Sequence, residues 1–335
     1  MRLLDLIAQG GSTRIWADGR ELPGAHRYEA SIRACPLRYV LSDELVRCAT
    51  QLAFAEGDRL SACLDLIRVP AQSLWVEWAD VPRREILASI PSLELTGETT
   101  AARHGGALIT AAPDGRSGDI RTFWSTPDER AYLSSMVIAF DLDGRSKVRT
   151  LPDTPIWRGE AYLHMPDEPA IEELLEHLQF YFDDEWAAYY HERCHTDALR
   201  ATVLRHSLGG CAFDAPMLMA FFLLLSARDL LPAEEIRHER INSVRRRAGK
   251  APLLEHIELS APLDRRPAKG LASASESIRM SPRLHHVRGH IVRRGASVFW
   301  RSPHLRGSAR LGQVRSRTVH LTFGVAGGES VRTCP

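Results

Sequence analysis

Thirteen consecutive residues, Ala215 to Ala227 (APMLMAFFLLLSA), carry no charge and a single hydroxyl. A helix that is apolar on every side either crosses a bilayer or sits wrapped inside a core. The run is bounded by Asp214 and Arg228, and it is shorter than the roughly 20 residues that a bilayer requires. It therefore predicts a buried helix, and the rest of the chain must supply enough structure to surround it. With 335 residues and 44% hydrophobic content, the chain can build such a core, in two domains. The start, MRLLDLIAQGG, has one early Arg but no apolar stretch of signal-peptide length, so no membrane partner is expected. Cys35, Cys48, Cys63, Cys194, Cys211 and Cys334 form no CxxC pair. That pattern fits reduced thiols in a cytoplasm.

Leu41 to Leu66 reads as helical, with Ser42 as N-cap and Glu44 just inside. Ser73–Trp78 is strand-like. From His104 to Asp143 the segments GALITAA, IRTFWS and MVIAFDLDG are short, β-branched or aromatic, and separated by Pro, Asp and Gly. They predict an antiparallel meander. Helices are expected again over Ala170–Phe182, Glu185–Arg205 and Ala215–Asp229. Pro262–Ser281 is rich in Ala, Ser, Pro and Arg and predicts a linker or mobile loop. The expected fold class is α+β: an antiparallel meander plus helices, followed by a small basic C-terminal β module. The expected divisions are an α+β domain over 1–165, a helical region over 166–261, the linker over 262–281 and the module over 282–335.

Charge separates the two ends. Residues 236–335 hold 20 basic and 6 acidic residues, a net of +14, whereas residues 1–235 hold 23 basic and 36 acidic, a net of −13. A basic module on an acidic body points to a polyanion held at one end.

Two basic elements could hold it. In the segment EIRHERINSVRRRAGKAPLLEHIEL, Arg237, Arg240, Arg245, Arg246, Arg247 and Lys250 meet few acids, and Gly249 and Pro252 end the helix. Such a run can lie along a phosphate backbone without reading bases. Equally, cations at a helix C-terminus simply suit its dipole. No aromatic residue interleaves the run, which argues against base stacking there. The second element is a hairpin: Arg283–Arg294, a Gly295-Ala296 turn of type II′, and Ser297–Ser302, with a third strand over Arg315–Phe323. With Arg294 opposite Ser297, strand alternation puts Val287, Ile291, Val298 and Trp300 on one face. The other face takes His286, Arg288, His290 and Arg301, with His304 just beyond. Arg offers a planar fork for phosphate oxygens, and His exchanges protons near neutrality. This face can bind a backbone, with Arg306 nearby. Alternatively it can cleave RNA without metal, with His290 and His304 as base and acid and Arg288 and Arg301 holding the phosphate.

INSVRRRAGKAPLLEHIEL followed by HHVRGHIVRRGASVFWRSPHLRG resembles the C-terminal half of a family of phage- and prophage-borne proteins. The matching residues are Asn242, Arg245, Gly249, Lys250, Pro252 and Leu253, then Arg288, Gly289, His290, Trp300, His304, Arg306 and Gly307. The match covers about the last third of the chain. The hairpin turn is shorter here, and the D-Y that usually follows is missing after Gln313. The resemblance implies a phage or prophage origin and work in the host-cell cytoplasm, and it implies no activity.

Elsewhere, His191, Cys194 and His195 share a helical face that could take zinc with Asp183 or Asp184, but ordinary helix-surface roles account for them, and neither metal nor cofactor is expected. Asp183, Asp184 and Glu185 suit a helix start. GxSxG, Walker A and GxGxxG are all missing from the sequence, so no nucleotide-binding or triad enzyme is signalled. The expected partner is nucleic acid, RNA or DNA, with a protein partner as the third option.

Overall fold

The computed structural model describes residues 2–9, 15–17, 20–22, 24–90, 102–144, 156–158, 174, 176–193, 196, 198, 202–203, 207, 213–227, 230–261, 283–287, 290–295, 297–301, 304–306 and 308–313. The chain forms two compact units. One comprises Met1–Leu263 with Ile291–Phe299, and the other Asp264–His290 with Trp300–Pro335.

The strands of Met1–Leu263 are β1 (Ile15–Ala17), β2 (Arg20–Leu22), β3 (Leu37–Leu41), β4 (Ser73–Ala79), β5 (His104–Ala111), β6 (Ser117–Ser125), β7 (Ala131–Asp141), β8 (Ile156–Arg158), β9 (Leu178–Phe182), β10 (Ala233–Ile236) and β11 (His256–Leu259). The first two pair only with each other; the rest form one mixed sheet in the order β10-β11-β3-β4-β5-β6-β7-β9-β8. The expected meander is present as β5-β6-β7, each antiparallel to the next. The sheet as a whole is not a simple meander, because β11, β3 and β4 run parallel. The architecture is therefore mixed α/β.

The helices are α1 (Leu3–Ala8), α2 (Glu29–Ala34), α3 (Asp43–Phe54), α4 (Gly57–Ser61), α5 (Asp80–Ala88), α6 (Asp184–Arg193), α7 (Asp214–Ser226) and α8 (Glu239–Arg247). Ser42 caps α3 as expected, its Oγ accepting from the Leu45 N–H at 3.3 Å. The apolar run forms α7, and every residue from Asp214 to Leu224 is buried. The Phe221 ring meets Tyr39 of β3 edge-on at 6.1 Å, which places α7 on one face of the sheet, where it also packs on α3. On the opposite face α1 and α2 share a core with Trp75, Leu108, Phe123 and Leu133. Helices thus cover both faces, as buried parallel strands require.

Two polar side chains lock these layers. On the α1 face, Glu77 of β4 accepts from the backbone N–H groups of Leu3 and Leu4, at 2.7 and 2.8 Å. It satisfies two donors that the first turn of a helix leaves without partners. On the α7 face, Arg83 of α5 pairs with Asp80 at 2.6 Å and with Asp214 at the start of α7. Burial pushes the Asp214 carboxyl up to about 6 even though Arg83 pulls it down.

Several expectations are corrected. Ala170–Phe182 is not one helix: Leu178–Phe182 is β9, paired antiparallel with β7. Leu178 and Phe180 are fully buried there, and that pairing overrides a helical reading of the local sequence. The region expected to be helical also supplies β10 and β11, so residues on both sides of position 165 share one sheet. The linker 262–281 lies outside the described residues, as does the expected strand Arg315–Phe323. Arg283–Arg294 is not one strand: β12 (Arg283–Val287) and β13 (His290–Arg294) are separate. Helix α3 is also shorter than the expected 41–66 span, with α4 and a 3-10 turn at Leu64–Leu66 completing it.

One close approach gives a test of this packing. A Cβ at Gly105 would lie 2.4–2.6 Å from the Trp78 indole, and Trp78 is fully buried. Gly105→Ala should destabilise the protein by about 1–3 kcal/mol, the cost of overpacking a core. Trp78→Phe, which shortens the ring, should restore part of the loss. Urea unfolding midpoints of the single and double variants check this.

Candidate functional site

The parallel strands β11, β3 and β4 end at one edge of the sheet, and a cleft of about 510 Å³ opens there. Crevices beyond the carboxyl ends of parallel strands are the usual ligand sites of open α/β sheets. Val40, Leu41, Glu77, Trp78, Ala79 and Leu259 come from those strands, with Ser42, Asp43, Arg103, His104, Glu234, Ser260 and Arg2 around them. The buried Glu77 carboxyl is pushed up to about 7 by desolvation, against the pull of its backbone N–H donors and Arg2. His104 is pushed down to about 4, first by burial and then by the Arg103 and Arg2 cations.

Perturbed groups in a cleft mark candidate sites, yet most of these groups are already engaged with one another. Glu77 anchors α1, Arg2 pairs with Glu258, and the Ser42 hydroxyl caps α3. The His104 Nδ1 faces the Ser125 Oγ at 3.4 Å. Ser125 is fully buried and does not line the cleft, so the pair is not a nucleophile with its base.

The second surface is α8, between β10 and β11. Asn242 is buried, and its side chain clasps the backbone of Leu253: Nδ2 donates to the carbonyl at 2.9 Å, and Oδ1 accepts from the N–H at 2.7 Å. Arg245 donates from Nε to the Ala251 carbonyl at 2.8 Å. Gly249 takes φ +66, the left-handed conformation that ends a helix. The segment N-x-x-R…GK-x-PL is thus a staple that folds the chain back from α8 toward β11. Arg245, expected to bind phosphate, is spent in part on this staple. Arg240, Arg246, Arg247 and Lys250 are exposed. Among the described residues, no carboxylate pairs with any of these four. A groove of about 590 Å³ along α8 is lined by Arg237, His238, Arg240, Ile241, Val244 and Arg245.

The hairpin residues fall on two small sheets. Strand β13 pairs with β14 (Ser297–Arg301), flanking Gly295 at φ +59, and β12 lies between β15 (His304–Arg306) and β16 (Ser308–Gln313). Opposite His304 is Val287, opposite Arg306 is His285, and opposite Leu305 is His286. His290 belongs to the other ladder. Arg301 is exposed and Val298 is buried, the latter as expected. Arg288 and the side chains of His286, His290, Trp300, His304 and Arg306 lie outside the described residues. In the same hairpin Arg293 grips Asp65 with two hydrogen bonds, at 2.7 and 2.8 Å.

Cys194, His195 and the His191 side chain also lie outside the described residues. Among those described, no three His, Cys, Asp or Glu side chains are placed to hold a metal ion. Asp183 accepts from the Tyr28 hydroxyl at 3.2 Å. No described helix is long and apolar enough to cross a membrane. No family model, curated protein or solved structure matches the chain.

The two perturbed groups of the cleft give opposite pH dependences. An unfolded His titrates near 6.5 and folded His104 near 4, so its contribution is complete above pH 6.5 and is lost as the pH falls toward 4. Unfolded Glu titrates near 4.5 and folded Glu77 near 7. The folded state then holds the extra proton, and stability falls as the pH rises through that window. Urea unfolding from pH 4 to 8 should show His104→Gln flattening the acid-side loss and leaving the decline above pH 5 in place.

Proposed function

We propose that this protein binds nucleic acid, with the phosphate backbone held by the cations of α8. The observation that carries the proposal is that Arg240, Arg246 and Arg247 on α8, and Lys250 just beyond its end, are exposed and have no carboxylate partner among the described residues. Several other cations have a local carboxylate partner: Arg83 has Asp80 and Asp214, Arg116 has Asp143, Arg293 has Asp65. Clustered cations without counter-charges repel one another and hold a layer of small anions. A polyanion displaces that layer, and the released ions drive association. The rigid staple through Asn242 supports this role, since a fixed helix loses little freedom on binding. The net charge of +14 over residues 236–335 has the same sign. The C-terminal resemblance adds a setting: a phage- or prophage-encoded protein acting on nucleic acid in the host cytoplasm.

Fluorescence anisotropy with a labelled 20-mer duplex tests this. Four neutralised phosphates give a slope of log affinity against log salt of about −3.6. Replacing Arg246, Arg247 and Lys250 together with Ala should weaken binding and reduce that slope by about 2.7. Affinity that does not change with salt would overturn the proposal.

A further inference from the structure

Phosphate binding alone does not account for the composition of the exposed face of α8. Ile241 and Val244 are 52% and 62% exposed, and with Val81 they are the large exposed hydrophobics among the described residues. Two of those three side chains therefore sit on the helix that carries the unpaired cations. Buried Asn242 fixes which side of α8 faces the protein. On the side away from it, Arg240, Val244 and Arg247 follow one another at spacings of four and three, forming a single ridge. Ile241 lies beside Val244 on the adjoining flank. The outward ridge is thus a cation, an aliphatic side chain and a second cation, with another aliphatic alongside.

We infer that α8 enters the major groove of duplex DNA, with Val244 and Ile241 against thymine 5-methyl groups and the flanking guanidiniums on guanine edges or phosphates. The inference rests on the nucleic-acid proposal and narrows it to one class. Charge complementarity selects a polyanion: the groove beside α8 is lined by three Arg, a His and two aliphatic residues, with no carboxylate. The aliphatic pair selects among polyanions. Thymine is the base that offers an apolar group at the floor of the major groove. Single strands are gripped by aromatic stacking, and α8 carries no aromatic residue. The major groove of A-form RNA is too deep and narrow for side chains to read. The size also fits. With its side chains an α-helix is about 10–12 Å across, which the major groove, about 12 Å wide, admits. Asn242, the residue type suited to adenine, is committed to Leu253 and plays no part in reading bases.

The test begins with selection of bound duplexes from a random-sequence pool by the full chain. The enriched duplex is then made again with deoxyuridine in place of thymidine, which removes only the methyl groups. Wild-type protein should bind the uridine duplex about fourfold more weakly for each methyl contacted, the worth of one buried methyl. The variant Ile241→Ala/Val244→Ala should bind both duplexes equally, while keeping the wild-type salt slope and circular-dichroism spectrum. Enrichment of no sequence, equal wild-type affinity for the two duplexes, or tighter binding of the same sequence as a single strand would each overturn the inference while leaving backbone binding intact. Equal affinity for poly-L-glutamate would overturn it in favour of an acidic protein partner. Failure to bind any nucleic acid at low salt would remove the nucleic-acid proposal itself.

Discussion

A helix with no polar side must be covered all round, and the first unit is arranged to cover α7. Tyr39 reaches it from β3, and Phe54 at the end of α3 meets Phe213 just before it, at 5.8 Å. Its first residue, Asp214, is held by Arg83 of α5. A buried carboxylate without such a partner would cost several kcal/mol, so Arg83 also fixes where α7 begins. Because α3, α5 and α7 fill one face, the N-terminal helices α1 and α2 must close the other, and Glu77 ties α1 down by its own backbone. The sheet between them carries its parallel strands β11, β3 and β4 toward one end, next to β10.

This burial leaves the polar chemistry to the edge of the sheet. At the outer end, β10 and β11 pair antiparallel, and the chain between them forms α8. Only one flank of that helix is anchored, through Asn242 and Arg245. The remainder faces outward, which is why its cations and two aliphatic residues lie together on the surface. The cleft at the strand ends has a different character. Its charged groups mostly satisfy one another, and its perturbed carboxyl and imidazole follow from burial. Arg240, Arg246 and Arg247 of α8, with Lys250 just after it, form a cluster of exposed cations with no described carboxylate partner.

Short-range signals were legible in the sequence. The apolar run of α7, the Ser42 cap, the three strands of the meander and the glycine stop after α8 each depend on residues within a few positions. The parallel pairing was not legible. Strands β3 and β11 are five and four residues long, and they meet although more than 200 positions separate Tyr39 from Ile257. Nothing local in HIEL marks such a partner. LQFYF read as helix because its preceding residues are helix-formers, whereas pairing with β7 decides its state. The same distance effect hid the cleft, which is assembled from separate strand ends. For the candidate interface, the basic run was visible, but the division of labour within it was not. Asn242 and Arg245 turn out to hold the turn, while Arg240, Arg246, Arg247 and Lys250 remain outward. Separating them requires knowing which flank of α8 is buried.

The central claim is that α8 is the surface that meets nucleic acid. Hydrogen–deuterium exchange of the full chain, with and without a saturating duplex, tests it most directly. The account predicts slowed exchange over residues 239–250, with no change in the strands that border the cleft. Protection at the strand ends around Glu77 and His104, with α8 exchanging as it does in the free protein, would contradict it.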